Sequence, residues 1–226
     1  MTAEELFQAI DAGDAEAVRA LLVRDPALAA ARNAEGLSAV LAALYRHHET
    51  IVSALLEAGP ELDVFEAAAV GDTDRLADVL DADPSQVDAY AVDGFYPLAL
   101  AAFFGQPSAV GLLLERGADV GATARNPMRV QALHSAVAGR NLGAVRRLVE
   151  AGADPNVHQH GGWTPLQGAS AHGDEAIVDL LLAHGADPAA TNDSGKDAAA
   201  LARENGHDAL ADRLARLASG RPHASG

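Results

Sequence analysis

The 226-residue sequence contains no cysteine, which excludes disulfides, thiolate zinc sites and cysteine nucleophiles. Aromatic residues are scarce, at 4%, and β-branched residues are sparse. A core built mainly from Ala and Leu favours closely packed helices over a sheet, so the expected fold class is all-α. Positive charge is also in short supply: 16 Lys and Arg stand against 32 Asp and Glu, a formal net charge of -16. With no basic run to concentrate positive charge, nucleic acid and anionic membranes are poor partners. No stretch approaches the roughly 18 apolar residues of a membrane span. Met1-Thr2-Ala3-Glu4-Glu5-Leu6 offers neither the basic nor the apolar region of a secretion signal. The reading is a soluble, acidic, cytoplasmic protein.

What is present is repetition. Gly13-Asp14, Gly71-Asp72 and Gly173-Asp174 recur as loop pairs, with Gly105-Gln106 and Gly206-His207 in equivalent settings and His47 and Arg140 in the two slots that lack the glycine. Gly71 and Gly105 are 34 positions apart, and Gly173 and Gly206 are 33 apart, a period that belongs to stacked helical repeats. After each loop comes an apolar stripe at helical spacing, such as Leu76/Val79/Leu80 or Val145/Leu148/Val149. Several of these helices stop on glycine, at Gly59, Gly117, Gly152 and Gly185. Before the loops lie short alanine-rich helices opened by a capping hydroxyl and a proline, most plainly Thr164-Pro165-Leu166, with Tyr96-Pro97-Leu98 as a variant.

Gly162-Trp163-Thr164-Pro165-Leu166, Ala132-Leu133-His134-Ser135-Ala136, Gly117-Ala118-Asp119-Val120 and Gly152-Ala153-Asp154-Pro155-Asn156 resemble the ankyrin-repeat consensus. The resemblance implies a solenoid of about seven helix-loop-helix repeats with short β-hairpin-like fingers. It also implies a structural role for His134, bonded to a finger. The expected organisation is a single domain over residues 1–218, with repeats near 2–32, 33–62, 63–91, 92–124, 125–158, 159–191 and 192–218, followed by a disordered tail at 219–226. Two departures stand out. His47 and Gly71 are only 24 positions apart, which leaves no room for a finger and predicts an interrupted groove. Leu98 and Leu133 are 35 apart, so the finger around Arg125-Asn126-Pro127-Met128-Arg129 carries about two extra residues and should protrude or fold over the groove. Thr2-Ala3-Glu4-Glu5 resembles a capping box opening the first helix.

The resemblance places a binding face along the fingers and the inner-helix ends. Mapped onto this chain, that face collects Tyr45, Arg46, Tyr90, Phe95, Phe103, Phe104, Met128, Val130, His160, Trp163 and His172. Core packing here asks for aliphatic residues, so aromatics at these places suggest an anchor surface for another protein. Phe95 and Phe103 could equally shield neighbouring fingers. Of His158, His160 and His172, the finger pair His158 and His160 has a chelating spacing but no third ligand nearby in sequence, so no metal or other cofactor is expected. Glu35, Asp93, His160 and His172 form no catalytic motif, and Gly161-Gly162 reads as a finger turn, since no strand precedes it and no Lys-Ser/Thr follows. The first expectation is therefore a non-enzymatic protein-binding scaffold, whose acidic exterior reads first as a solubility device and only second as steering for a basic partner. The alternative is a small-molecule site or unconventional enzyme, with a pocket between the finger near Met128 and Phe95, Phe104, Trp163 and His172.

Overall fold

The computed structural model describes residues 2–220, and among them every regular element is helical. Fourteen α-helices form seven antiparallel pairs: α1 (Ala3–Ala12) and α2 (Ala15–Arg24), α3 (Ala39–Tyr45) and α4 (Glu49–Glu57), α5 (Val64–Val70) and α6 (Thr73–Ala82), α7 (Pro97–Phe103) and α8 (Pro107–Glu115), α9 (Ala132–Ala138) and α10 (Leu142–Glu150), α11 (Pro165–His172) and α12 (Glu175–Ala183), and α13 (Ala198–Glu204) and α14 (Asp208–Ser219). Odd-numbered helices stack on one another along the inner face, and even-numbered helices stack outside them. The inner layer can be this tight because its contact residues are small: Ala42, Ala43, Ala67, Ala68, Ala101, Ala102, Ala136, Ala169 and Ala202 are all buried. Each outer helix seals the layer with an aliphatic pair, such as Ile51/Leu55, Leu76/Leu80 or Val145/Leu148.

The ends follow the local chemistry of the sequence. Thr2 and Glu5 form the reciprocal capping box at the start of α1, and Thr164 and Gln167 form another at α11. The last helix runs through Ser219, so the expected tail begins too early; residues 221–226 lie outside the described residues.

Five fingers project from the stack, each closed by a main-chain hydrogen bond. Asn33 donates to the carbonyl of Leu37 at 2.9 Å, Ala91 to Phe95 at 2.8 Å, Gln159 to Trp163 at 3.0 Å and Asn192 to Lys196 at 3.0 Å. In the fifth repeat the corresponding bond runs from Ala124 to Val130 at 2.9 Å, which accommodates the two extra residues. The hairpin character is slight, amounting to isolated bridges between Arg32 and Ser38 and between Thr123 and Gln131. From the fourth repeat onward the fingers are tied tip to tip through the backbone: Arg125 donates to Gly94 at 2.8 Å, His160 to Met128 at 3.1 Å and Asp193 to Gly161 at 3.0 Å. Gly94 has φ +80°, and a Cβ there would sit 2.6 Å from the Arg125 carbonyl oxygen, so this close approach requires glycine.

The third repeat has no finger, and side chains take its place. Asp63 caps α5, its carboxylate accepting from the Phe65 and Glu66 amides at 2.9 Å, while buried Glu66 reaches back to the Asp63 amide. Arg32 of the second finger pairs with the other Asp63 oxygen at 2.8 Å, and Arg75 donates to the Leu62 carbonyl at 2.7 Å.

The loop slots obey a packing rule between successive repeats. Where the slot is glycine, a long side chain from the next repeat lies over it: His48 on Gly13, Gln106 on Gly71, Asn141 on Gly105 and His207 on Gly173. Where it is Arg140, the following repeat supplies an aspartate: Arg140, at φ 57°, grips Asp174 through its Nε and Nη2 atoms, the shortest contact being 2.6 Å.

Candidate functional site

The concave face between the fourth and sixth repeats holds an open pocket of about 330 Å3. Phe95 comes from the fourth finger, Phe103 from the end of α7, Met128 and Val130 from the long finger, Trp163 from the sixth finger and His172 from the end of α11. Ser135, Val137, Ala138, Pro165 and Gly168 form its floor. The long finger neither stands clear of the stack nor closes over it. Its tip is bonded to the sixth finger through the Met128 carbonyl, and the Met128 side chain forms the exposed rim, with 54% of its surface accessible.

His134 supports this pocket from beneath. The Gln131 amide approaches its Nδ1 at 3.4 Å, and its Nε2 is 3.2 Å from the Trp163 carbonyl, so the tautomer with the proton on Nε2 satisfies both. Burial holds the ring's pKa down, to about 4, against the opposing pull of the Trp163 and Val157 backbone bonds. His134 is therefore a neutral strut that fixes the finger carrying Trp163.

The predicted residues do not form one surface. Phe95, Phe103, Met128, Val130, Trp163 and His172 meet at the pocket, although Val130 is 5% exposed and contributes packing more than contact area. Phe104 points elsewhere. Its ring lies 5.7 Å from that of Tyr45 and packs against Leu41, Ala69 and Leu100, a satellite cluster that also takes in Phe65 and Phe95. The pocket in the alternative reading thus uses Phe103, which meets Phe104 edge-on at 5.1 Å, in place of Phe104.

Tyr45 belongs to the same cluster, and its hydroxyl donates to Asp93 at 2.6 Å, joining the second repeat to the fourth finger across the repeat that has none. Burial and then the Asp93 carboxylate push the Tyr45 phenol well above the usual tyrosine range. Arg46 is committed to an ion pair with Asp11 and to the Ala42 carbonyl. Tyr90 sits with buried Tyr96, ring centroids 5.8 Å apart, donates to the Thr123 carbonyl at 3.1 Å, and carries the Arg125 guanidinium 3.8 Å above its ring. His160 is exposed and bonded through its backbone to Met128, outside the pocket lining.

A second, larger hollow of about 570 Å3 lies at the loop edge, lined by His47, His48, Glu49, Phe103, Phe104, Gln106, Arg140 and Asn141 among others. Its polar side chains are largely those that lock one loop onto the next, so the groove pocket is the better candidate site. No cluster of three or more His, Asp or Glu side chains able to hold a metal occurs among the described residues, and no described helix is long and apolar enough to cross a membrane.

Comparison with known proteins agrees with this architecture. A family model described as ankyrin repeats (3 copies) matches residues 64–159 and 133–221, together more than half of the chain. The chain is 40% identical over 107 residues to ankyrin repeat and SOCS box protein 16 of Mus musculus, covering 44% of this chain and 23% of that protein. It is 44% identical over 70 residues to protein phosphatase 1 regulatory subunit 27 of Homo sapiens, covering 31% and 46% respectively. Over 83 residues it is 43% identical to the ARF GTPase-activating protein GIT2 of Mus musculus, covering 36% and 12%. The matches span less than half the length of each of these relatives.

Proposed function

The chain belongs to the ankyrin-repeat family, and from that premise we propose that it is a non-enzymatic protein-binding module whose concave face, from the fourth to the sixth repeat, holds a partner. The observation that carries this reading is the pocket built from Phe95, Phe103, Met128 and Trp163, of which Phe103, Met128 and Trp163 are large apolar side chains that belong to no core cluster. Binding energy at protein interfaces concentrates in aromatic residues around such pockets. The regulatory-subunit relative carries in its name a role performed through another protein, which supports the same reading. The GTPase-activating relatives do not lend their activity, since the match to GIT2 covers 12% of its length.

The test is capture of partners from native lysate by wild type and by a Phe103→Ala/Trp163→Ala variant of equal helicity and melting temperature. A partner retained only by wild type is the expected result; equal retention by both refutes the assignment. Phe104 is unsuitable for this test because its loss would open the Tyr45 cluster. The pocket also favours a second reading as a small-molecule site, being apolar in lining and at the low end of the roughly 300–1,000 Å3 usual for ligand pockets. A fragment screen read by Trp163 emission tests it, with binding abolished by Phe103→Ala as the supporting outcome.

A further inference from the structure

The acidity of this chain is not uniform. Residues 120–149 contain no Asp or Glu, in a sequence that has 32 of them, and carry Arg125, Arg129, Arg140, Arg146 and Arg147. That stretch is the long finger, α9 and most of α10, so the fifth repeat is a basic layer in an acidic stack. The pocket itself is lined by neither carboxylate nor guanidinium, so the charge nearest its mouth is that of this layer's finger. The nearest acidic groups are spoken for: Asp93 accepts from the Tyr45 hydroxyl and the Phe95 amide, and Asp174 is gripped by Arg140. Asp193 lies beyond the sixth finger, against Gly162.

Arg129 stands out within the layer. It follows Met128 at the exposed rim and is held at φ 50° by the turn, its amide donating to the Asn126 carbonyl at 3.1 Å, while its guanidinium makes no hydrogen bond or ion pair among the described residues. Arg125 and Arg140 already face Tyr90 and Asp174, while Arg146 and Arg147 lie on the outer helix. An exposed guanidinium beside an apolar pocket suits a ligand that offers a bulky apolar side chain with a carboxylate next to it.

We propose that the partner presents an acidic segment, seating one large apolar side chain between Met128 and Trp163 and pairing a flanking carboxylate with Arg129. The proposal rests on the protein-binding reading of the groove. It departs from the basic partner that net charge offered as a secondary reading, because the field at the site is set by the local layer, and charges beyond about 10 Å are screened at ordinary salt. The remainder of the acidic surface then acts against non-cognate anionic surfaces, so that only a segment narrow enough to lie in the basic layer is accepted.

The experiment is a random-peptide display selection on the intact chain, followed by titration of the recovered peptides. Trp163, the sole tryptophan, reports occupancy by its emission. The expected peptides carry a bulky apolar residue flanked by Asp or Glu. Arg129→Glu should weaken them by about tenfold, while Arg146→Glu, with the same change in net charge on the outer helix, should weaken them by less than about threefold. Recovered peptides flanked by Lys or Arg, whose binding is lost in Trp163→Ala by calorimetry, would overturn the charge assignment and leave the groove reading intact. Recovery of no peptide sensitive to Trp163→Ala would overturn both. Should Trp163→Ala fold poorly, Met128→Ala serves instead, since its side chain stands at the exposed rim.

Discussion

Removing one oxygen from Tyr45 probes how the stack crosses its fingerless layer. Tyr45→Phe leaves the ring against Leu41, Ala69 and Leu100 and beside Phe104, and deletes only the 2.6 Å bond to Asp93. Hydrogen bonds to charged groups contribute about 1.5–3 kcal/mol. Both partners are half-buried, and Asp93 keeps the Phe95 amide as a donor, so the loss should fall near 1–2 kcal/mol. For a domain of this size each kcal/mol lowers the melting temperature by about 2–4 °C. The assay is urea unfolding of the wild type, Tyr45→Phe, Asp93→Ala and the double variant. Asp93→Ala also strips an acceptor from the Phe95 amide, but that loss appears in both arms of the cycle and cancels. A coupling energy of about 1–2 kcal/mol is expected, and one below about 0.3 kcal/mol would refute the latch.

Two further perturbations test the neighbouring parts. His134 has its pKa lowered to about 4 in the folded protein from 6.5, so the unfolded chain binds more protons between those values and stability should fall as pH drops from 6.5 to 4. The integrated loss is at most about 3 kcal/mol, and wild type compared with His134→Gln across that window measures it; parallel pH profiles would contradict a buried neutral ring. Gly94→Ala places a methyl 2.6 Å from the Arg125 carbonyl at a left-handed φ, and should cost at least about 1–2 kcal/mol while raising amide exchange at Arg125. Unchanged exchange there would mean the finger contact is weaker than its geometry indicates.

The helices, their caps and the unequal fingers were legible because each has a local signature. Thr164-Pro165 opens α11, the 24-residue interval removes a finger, and the 35-residue interval lengthens one. The groove residues were less legible because orientation at a helix end changes by about 100° per residue, and nothing in the sequence says which of Phe103 and Phe104 faces the pocket. Tyr90 was separable in principle: Phe95 and Tyr96 point to opposite sides of an extended arm, and Tyr90 follows Tyr96 inward. The Tyr45 latch was not readable, since its partner lies 48 residues away and comes within reach only through the missing finger. The replacement of the slot glycine by Arg140 did carry a signal, because Asp174 stands one repeat later.

The fingerless layer also decides how this molecule can change shape. From the fourth finger onward the tips are riveted by main-chain bonds that substitution of most side chains leaves in place. Across the third layer the concave edge is spanned by replaceable groups, Arg32 with Asp63 and Tyr45 with Asp93. Bending stiffness at that joint is therefore a property of a few side chains. Point substitutions there can retune the angle between the first two repeats and the grooved block, whereas the curvature of the block itself yields only to remodelling of its backbone.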